Sequence, residues 1–469
     1  MGVRVAASAA NRFGLGARPG ELAQVGGDPR DWLRSQLRGG DVAAAFAGLP
    51  TSAAYLGQYY DLLRARRDAR KARSGAENAP AAIPDPAQRR FRRQLGLEAV
   101  LRQQVAVRSA QGFAERIVRF WSNHFAISVD KRIAAAFAAP MEREAIRPHA
   151  FGRFADLLLA VERHPGMLLY LDNAQSIGED SRLGQRSARR AARRSDARKR
   201  GLNENLAREI LELHTLGVDG GYAQADVGEL ARALTGWSVP GPREEIADGR
   251  ASVFRAEAHE PGVRTVLGKA YRDAGAGQAE AILRDLAVHP ATARHLAFKL
   301  ARHCVADVPP PALVARMARA YLDSDGALPA LYAAMIDDDA AWGEDARKFK
   351  TPDDFLLSAL RASGLDGDAD VRLALQLQAQ LGQPLFQPRS PAGFGDIADD
   401  WGGPDALFKR VQAAQALAER AAVASPAALG ADVLGDGLAA DAALALRRAE
   451  SAQQGVALLL ASPVFQWRC

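Results

Sequence analysis

The sequence predicts a mainly α protein, one large multi-helix globule, and three observations carry that expectation. Apolar residues recur at helical spacing: Leu202, Leu206, Ile210 and Leu213 fall at i, i+4, i+8 and i+11, and Leu157, Val161, Leu168 and Leu171 repeat similarly around a break at His164-Pro165. Runs of alternating β-branched residues are scarce. A proline step also recurs after apolar runs, at His164-Pro165, His289-Pro290 and Ser462-Pro463. Proline suits the first helical position, where its missing N–H costs nothing, and serine is a good N-cap, so each step ends one helix and starts the next.

The elements follow in order. Gly14-Leu-Gly16-Ala-Arg-Pro-Gly20 imitates a dinucleotide-binding glycine loop but has no apolar strand before it and a proline in the turn, so it reads as a capping turn. Residues 66–94 and 178–201 are expected as mobile loops, the first from its Arg, Gly and Pro content. The second holds nine basic residues against one acid, Asp196, between Arg182 and Arg200. Ser252–Arg255 and Arg264–Leu267 are the best strands, expected to form one small β hairpin near 252–267. The Gly/Pro/Asp-rich stretch 382–404 precedes a C-terminal helical pair. The expected organisation is one helical domain over 1–469 with two lobes, 1–240 and 241–469.

Composition narrows the function classes. At 469 residues, 48% hydrophobic and 25% charged, the chain has material for a sizeable core, which excludes collagen, wholesale disorder and a disulfide miniprotein. The formal charge is +6, but only eight of the 61 basic residues are lysine, an Arg-rich and Ala-rich usage typical of GC-rich coding. That discounts the charge as a sign of a nucleic-acid partner. Two cysteines, Cys304 and Cys469, build neither a disulfide framework nor a thiolate metal site. No stretch reaches the length of a membrane span, and the first residues are too weakly apolar for a secretory leader. The chain as given therefore reads as cytoplasmic, with secretion open if a leader was removed. No HExxH, GxSxG or Walker motif is present, and Asp366, Asp368 and Asp370 lack the glycine and glutamate of a calcium loop. No motif assigns a cofactor or metal.

Residues 201–237 read GLNENLAREILELHTLGVDGGYAQADVGELARALTGW, with NRFGLGARPGE at 11–21, FWSNHFAIS at 120–128, HEPGVRTVLGK at 259–269 and LGQPLFQP near 381 in support. This pattern resembles the bacterial domain of unknown function 1800 family over nearly the whole chain. The resemblance implies a large bacterial protein of unassigned activity, often secreted and often encoded beside a sulfatase-like partner. The chain departs from the family pattern at Leu206 for Tyr, Ala223 for Thr, and His259-Glu260 for His-Asp.

The residues of this segment suggest a site. Glu204, Arg208 and Glu212 are spaced by four and share one helix face, with Asn205 and Glu209 as a second polar row. Such alternation could be a solvated face, or it could orient carboxylates, because Arg holds them bidentately. His214 falls at the helix end, where the dipole favours its charged form. Asn123, His124, Arg147, His149 and His259 are the candidates to converge on it.

Three function classes stay open. The first is a binding or accessory protein with a polar groove around 203–237, serving a sulfatase-like partner. The second is a hydrolase, metal-assisted or not, with Glu209 or Glu212 as base, His124 or His214 as acid–base partner, and Arg147, Arg208, Asn123, His149, Asn205 and His259 binding substrate. The third is nucleic-acid binding through 182–200, disfavoured because residues 174–200 contain no aromatic for stacking.

Overall fold

A computed structural model describes residues 2–40, 42–73, 86–192, 201–244 and 251–468. Helix accounts for 63% of the chain. Among the described residues the sheet consists only of strand pairs two or three residues long, so the protein is mainly α.

The proline punctuation works as the sequence implies, with one addition. Ser462 accepts a hydrogen bond from the backbone N–H of Phe465 and caps the helix Pro463–Gln466. His164 and His289 do the same work: their side chains accept from the N–H of Gly166 and Ala291, capping Pro165–Tyr170 and Pro290–Cys304. A ring nitrogen thus replaces a hydroxyl oxygen on an orphan donor of the first turn. Thr351 caps Pro352–Ser363 in the ordinary way.

Two expectations need correction. The segments 252–255 and 264–267 do not pair with each other. β1 (Trp237–Ser238) pairs antiparallel with β2 (Val253–Phe254), and β3 (Arg264–Val266) pairs with β4 (Lys269–Tyr271). The second pair is a two-residue hairpin across Leu267-Gly268, both at positive φ (51° and 75°), the turn geometry that matches strand twist. Such local closure is easier than joining strands across eight residues. The expected loops are also narrower. Helices Ser52–Arg73 and Pro86–Arg108 cover both ends of 66–94, and Arg182–Ala192 is a helix. Arg, Ala and Gln are good helix formers, Ser181 Oγ accepts from the N–H of Gly184 at 3.0 Å, and the arginines point to solvent. The remainders of the two stretches, 74–85 and 193–200, lie outside the described residues.

One hydrophobic cluster runs from Ala6 to Phe465. Trp121 is fully buried in it, donating from Nε1 to Tyr332 Oη at 2.7 Å. The Gly14–Gly20 turn is part of this core. Gly16 sits at φ +99°, and a Cβ there would lie 2.5 Å from Ser358 Cβ. Its carbonyl accepts from Arg361 Nε at 2.7 Å, and Arg361 grips Glu21 with Nη2 at 2.9 and 3.0 Å. Opposite ends of the chain also meet: Asn11 donates to the carbonyl of Val433 at 2.9 Å, and β5 (Lys348–Phe349) pairs with β6 (Trp467–Arg468). These contacts bring residues 102–127, 351–354 and 383–396 around one cleft, with Lys299 and Arg302 lining an adjoining pocket.

Candidate functional site

The signature helix Asn205–Glu209 continues as a π turn, Ile210–His214. Its polar row faces outward. Arg208 Nη2 lies 3.4 Å from Glu204 Oε2 and donates to Gln224 Oε1 at 2.8 Å, with the Arg208 side chain 42% exposed. Asn205 is exposed, and Glu212 is partly buried. Glu209 is partly buried as well, and burial raises its carboxyl above the usual range. His214 does not follow the row. The wider turn helps set it inward, where it is fully buried with Nδ1 2.8 Å from Oε1 of the equally buried Glu162. π turns recur at functional positions.

His124 lies against His214. Its Nε2 donates to the His214 carbonyl at 3.1 Å, and the two ring centroids are 6.1 Å apart. His295 completes the group, 6.2 Å from His124, with Nε2 on the Leu213 carbonyl at 3.1 Å. Burial, reinforced by Lys299, lowers both His124 and His295, the latter to about 4. Neutral rings are what an aromatic pocket of Phe120, Trp121 and Phe125 favours.

Arg147 belongs to a different assembly. It holds Glu115 bidentately at 2.7 and 2.9 Å and reaches Glu142 Oε1 at 3.0 Å. Glu142, on the π turn Glu142–Ile146, also accepts from Arg102 Nε and Ser122 Oγ, both at 2.7 Å. Burial alone would push its carboxyl up, but Arg102, Arg147 and Arg119 outweigh it and hold it at about 2. His149 turns back on its own helix, with Nδ1 on the Ala145 carbonyl at 2.8 Å. His259 is apart from all of these: Nδ1 donates to the Thr235 carbonyl at 2.9 Å, and Nε2 is 3.8 Å from Asp273. Beside it, Glu260 Oε2 accepts from the N–H of Asp180 at 2.9 Å. The sequence-selected residues therefore occupy four neighbourhoods instead of one.

The concave site lies where two of them border it. On the helix Gly112–His124, Arg116, Arg119 and Asn123 fall at i, i+3 and i+7 and share one face. Opposite are Asp353 and Asp354 in the first turn of Pro352–Ser363, where the helix dipole favours carboxylates. Arg116 Nη1 donates to Asp354 at 2.8 Å and Arg119 Nη1 to Asp353 at 2.7 Å. The third wall is the 383–396 segment. Asn123 clamps it, donating to the Phe394 carbonyl at 3.0 Å and accepting from its N–H at 2.8 Å. These walls enclose about 90 Å³, with Ile127, Leu385, Phe386 and Phe394 as apolar lining.

Two features of this cleft were not visible in the sequence. Arg102 is 6% exposed and spends only Nε on Glu142. Its Nη1 and Nη2 hydrogen-bond to nothing among the described residues, while its plane lies 5.0 Å from the Phe386 ring. His303 Nδ1 lies 2.9 Å from Asp396 Oδ2 and its Nε2 is 3.5 Å from Arg116. Burial lowers the His303 ring against the pull of Asp396. Burial would raise Asp396, but His303 and Lys348 hold it at about 2. The arrangement can seat an anion on a guanidinium fork and hold an imidazole in one orientation. Among the described residues no group of three or more His, Cys, Asp and Glu side chains could hold a metal ion, and no helix is long and apolar enough to cross a membrane. Cys304 is a fully buried thiol, its pKa raised to about 11 by burial.

No curated protein and no solved structure matches the chain significantly. One family does, through a model spanning residues 8–467, which takes in the signature helix, the arginine face of Gly112–His124 and the 383–396 wall alike. The chain that builds this cleft belongs to the family described as Protein of unknown function (DUF1800).

Proposed function

We propose that the protein binds a small ligand carrying an anionic group, seated in the cleft between Gly112–His124 and the 383–396 segment. The observation that carries this reading is Arg102: a largely buried arginine whose two terminal nitrogens face the cleft without a partner among the described residues. Those nitrogens are not sealed from solvent, and a bidentate carboxylate would replace water on both with charge-assisted hydrogen bonds. The volume of about 90 Å³ corresponds to roughly six to nine water-sized centres, and the apolar lining suits an aryl or short alkyl body. On this reading the groove lies beside Arg102 instead of along 203–237. The exposed row of Glu204, Arg208 and Gln224 is then a surface for a partner, and the family resemblance makes a sulfatase-like protein the partner to test.

Calorimetric titration with benzoate, and separately with inorganic sulfate, tests the reading. Arg102→Gln removes the fork and leaves Glu142 with Arg147 and Ser122. A charge-assisted pair contributes about 1.5–3 kcal/mol, so benzoate affinity should fall roughly ten- to hundredfold. Unchanged affinity, or no binding to wild type by any small carboxylate or sulfate, overturns it. A hydrolase is the second reading, favoured by the His303–Asp396 pair at 2.9 Å, with Asp396 orienting the ring as base. This pair borders the cleft and serves that role better than Glu209 or Glu212 with the buried His124 or His214.

A further inference from the structure

Behind the Asn123–Phe394 clamp lies a second pocket of about 250 Å³, lined by Lys299, Arg302, His124, Asp396 and Asp400 among others. Its two acids each accept a hydrogen bond, although Asp396 Oδ1 is buried without one. Asp396 accepts from His303, and Asp400 Oδ2 accepts from the N–H of Ile397 at 3.2 Å. Of its cations, Arg302 uses Nε on the Asp307 carbonyl at 3.2 Å and stacks on Phe298, leaving its terminal nitrogens without hydrogen bonds among the described residues. Lys299 Nζ makes no hydrogen bond or ion pair among the described residues. The other described lysine side chains are committed. Lys131, Lys269, Lys348 and Lys409 pair with Asp172, Asp285, Asp307 and Asp405, and Lys350 donates to Ser358 Oγ at 2.9 Å.

The choice of residue carries further weight. The chain uses arginine for nearly every cation, with eight lysines among 61 basic residues. Of the two side chains, only lysine can shed its proton near neutral pH and act as a nucleophile. We infer that Lys299 is a reactive amine that captures small 2-oxo acids as an imine, with Arg302 holding the carboxylate. In that step the Nζ lone pair adds to the carbonyl carbon, and the carbonyl oxygen departs as water with the two amine protons. The C=O bond is replaced by C=N, and no electrons are gained or lost. Burial favours the neutral amine, lowering Lys299 to about 8 against the opposing pull of Asp396. His124 beside it is lowered in part by this same lysine. The inference is independent of ligand binding at Arg102, since it uses other cations in another pocket.

The test treats the full chain with pyruvate and cyanoborohydride near pH 7.5 and maps reduced pyruvyl groups by peptide mass spectrometry. An amine at about 8 instead of 10.5 is neutral roughly two hundred times more often. Discounted for its lower intrinsic nucleophilicity, Lys299 should label about tenfold faster than Lys131, Lys269 or Lys409. Acetaldehyde, which lacks the carboxylate, should label it less well than pyruvate. Lys299→Arg should lose the adduct, while Lys269→Arg, at an exposed lysine paired with Asp285, should keep it. Labelling spread evenly over the surface lysines, or pyruvate binding with no reducible adduct, overturns the amine chemistry. Equal labelling by acetaldehyde overturns the oxo-acid assignment.

Discussion

Glu142→Gln removes one charge from the middle of the buried arginine network while keeping the side chain's shape. Glu142 is 2% exposed and accepts from Arg102, Arg147 and Ser122. Burial acts to raise its carboxyl, yet the surrounding arginines bring it from 4.5 to about 2. That drop corresponds to about 3 kcal/mol of stability at pH 7. A carboxyl held below its unfolded value stabilises the fold above about pH 4.5, and that contribution is lost as the pH falls towards 2. The variant never has it. Urea denaturation should therefore show a deficit of about 3 kcal/mol at pH 7 that shrinks between pH 4.5 and pH 3. At roughly 2.1 cal/mol/K of unfolding entropy per residue, a chain of 469 residues should lose about 3 °C in Tm. Wild-type stability at pH 7, or a deficit that widens on acidification, would refute the reasoning, because either result means the arginines do not hold a buried charge.

Two further outcomes follow from exposure and backbone geometry. Arg208→Ala should cost under ~1 kcal/mol in the same urea assay, because its pair with Glu204 is long and solvent-exposed; a loss of about 3 kcal/mol would mean that the signature row is a buried network. Gly16→Ala should cost about 2 kcal/mol or more, since the new Cβ meets Ser358 at positive φ, and a neutral effect would show that the 14–20 turn does not dock on Pro352–Ser363.

What the sequence reveals tracks how local the physics is. Helical spacing around Leu206 and Ile210, and the proline steps at 165, 290 and 463, act within a turn or two, and the structure follows them. The β pairing was hidden because Leu267-Gly268 carries only half of a recognised turn signal. The run Arg182–Ala192 is a helix because the propensity of Arg and Ala outweighs repulsion between like charges that reach solvent. At the site, Asn123 and His124 stood out as candidates to converge on the signature helix, and Asn123 lines both pockets and His124 the second. Arg102, Lys299, His303 and Asp396 did not, because they come from segments far apart in sequence and are residue types the chain uses throughout. The spacing of Arg116, Arg119 and Asn123 was the available signal, one polar face on an otherwise apolar helix. The signature row stood out for the opposite reason, since its spacing is regular within one helix and its Glu204–Arg208 pair lies at the surface.

Arg468 gives the molecule an order of assembly in time. Its guanidinium is fully buried, donating to the His303 carbonyl at 2.8 Å and lying 3.6 Å from Asp354, so it supports the two groups that face Arg116. During synthesis every other part of the cleft has left the ribosome before this residue is added. Until then Asp354 has Arg116 but not its second arginine, and β5 has no strand to pair with. The cleft therefore cannot mature piecemeal as the chain emerges. It closes after translation has passed residue 468, in a step joining residues hundreds of positions apart, and such non-local closure is slow. A nascent chain paused upstream would present an incomplete site, and the newly made protein would gain its binding capacity with a lag.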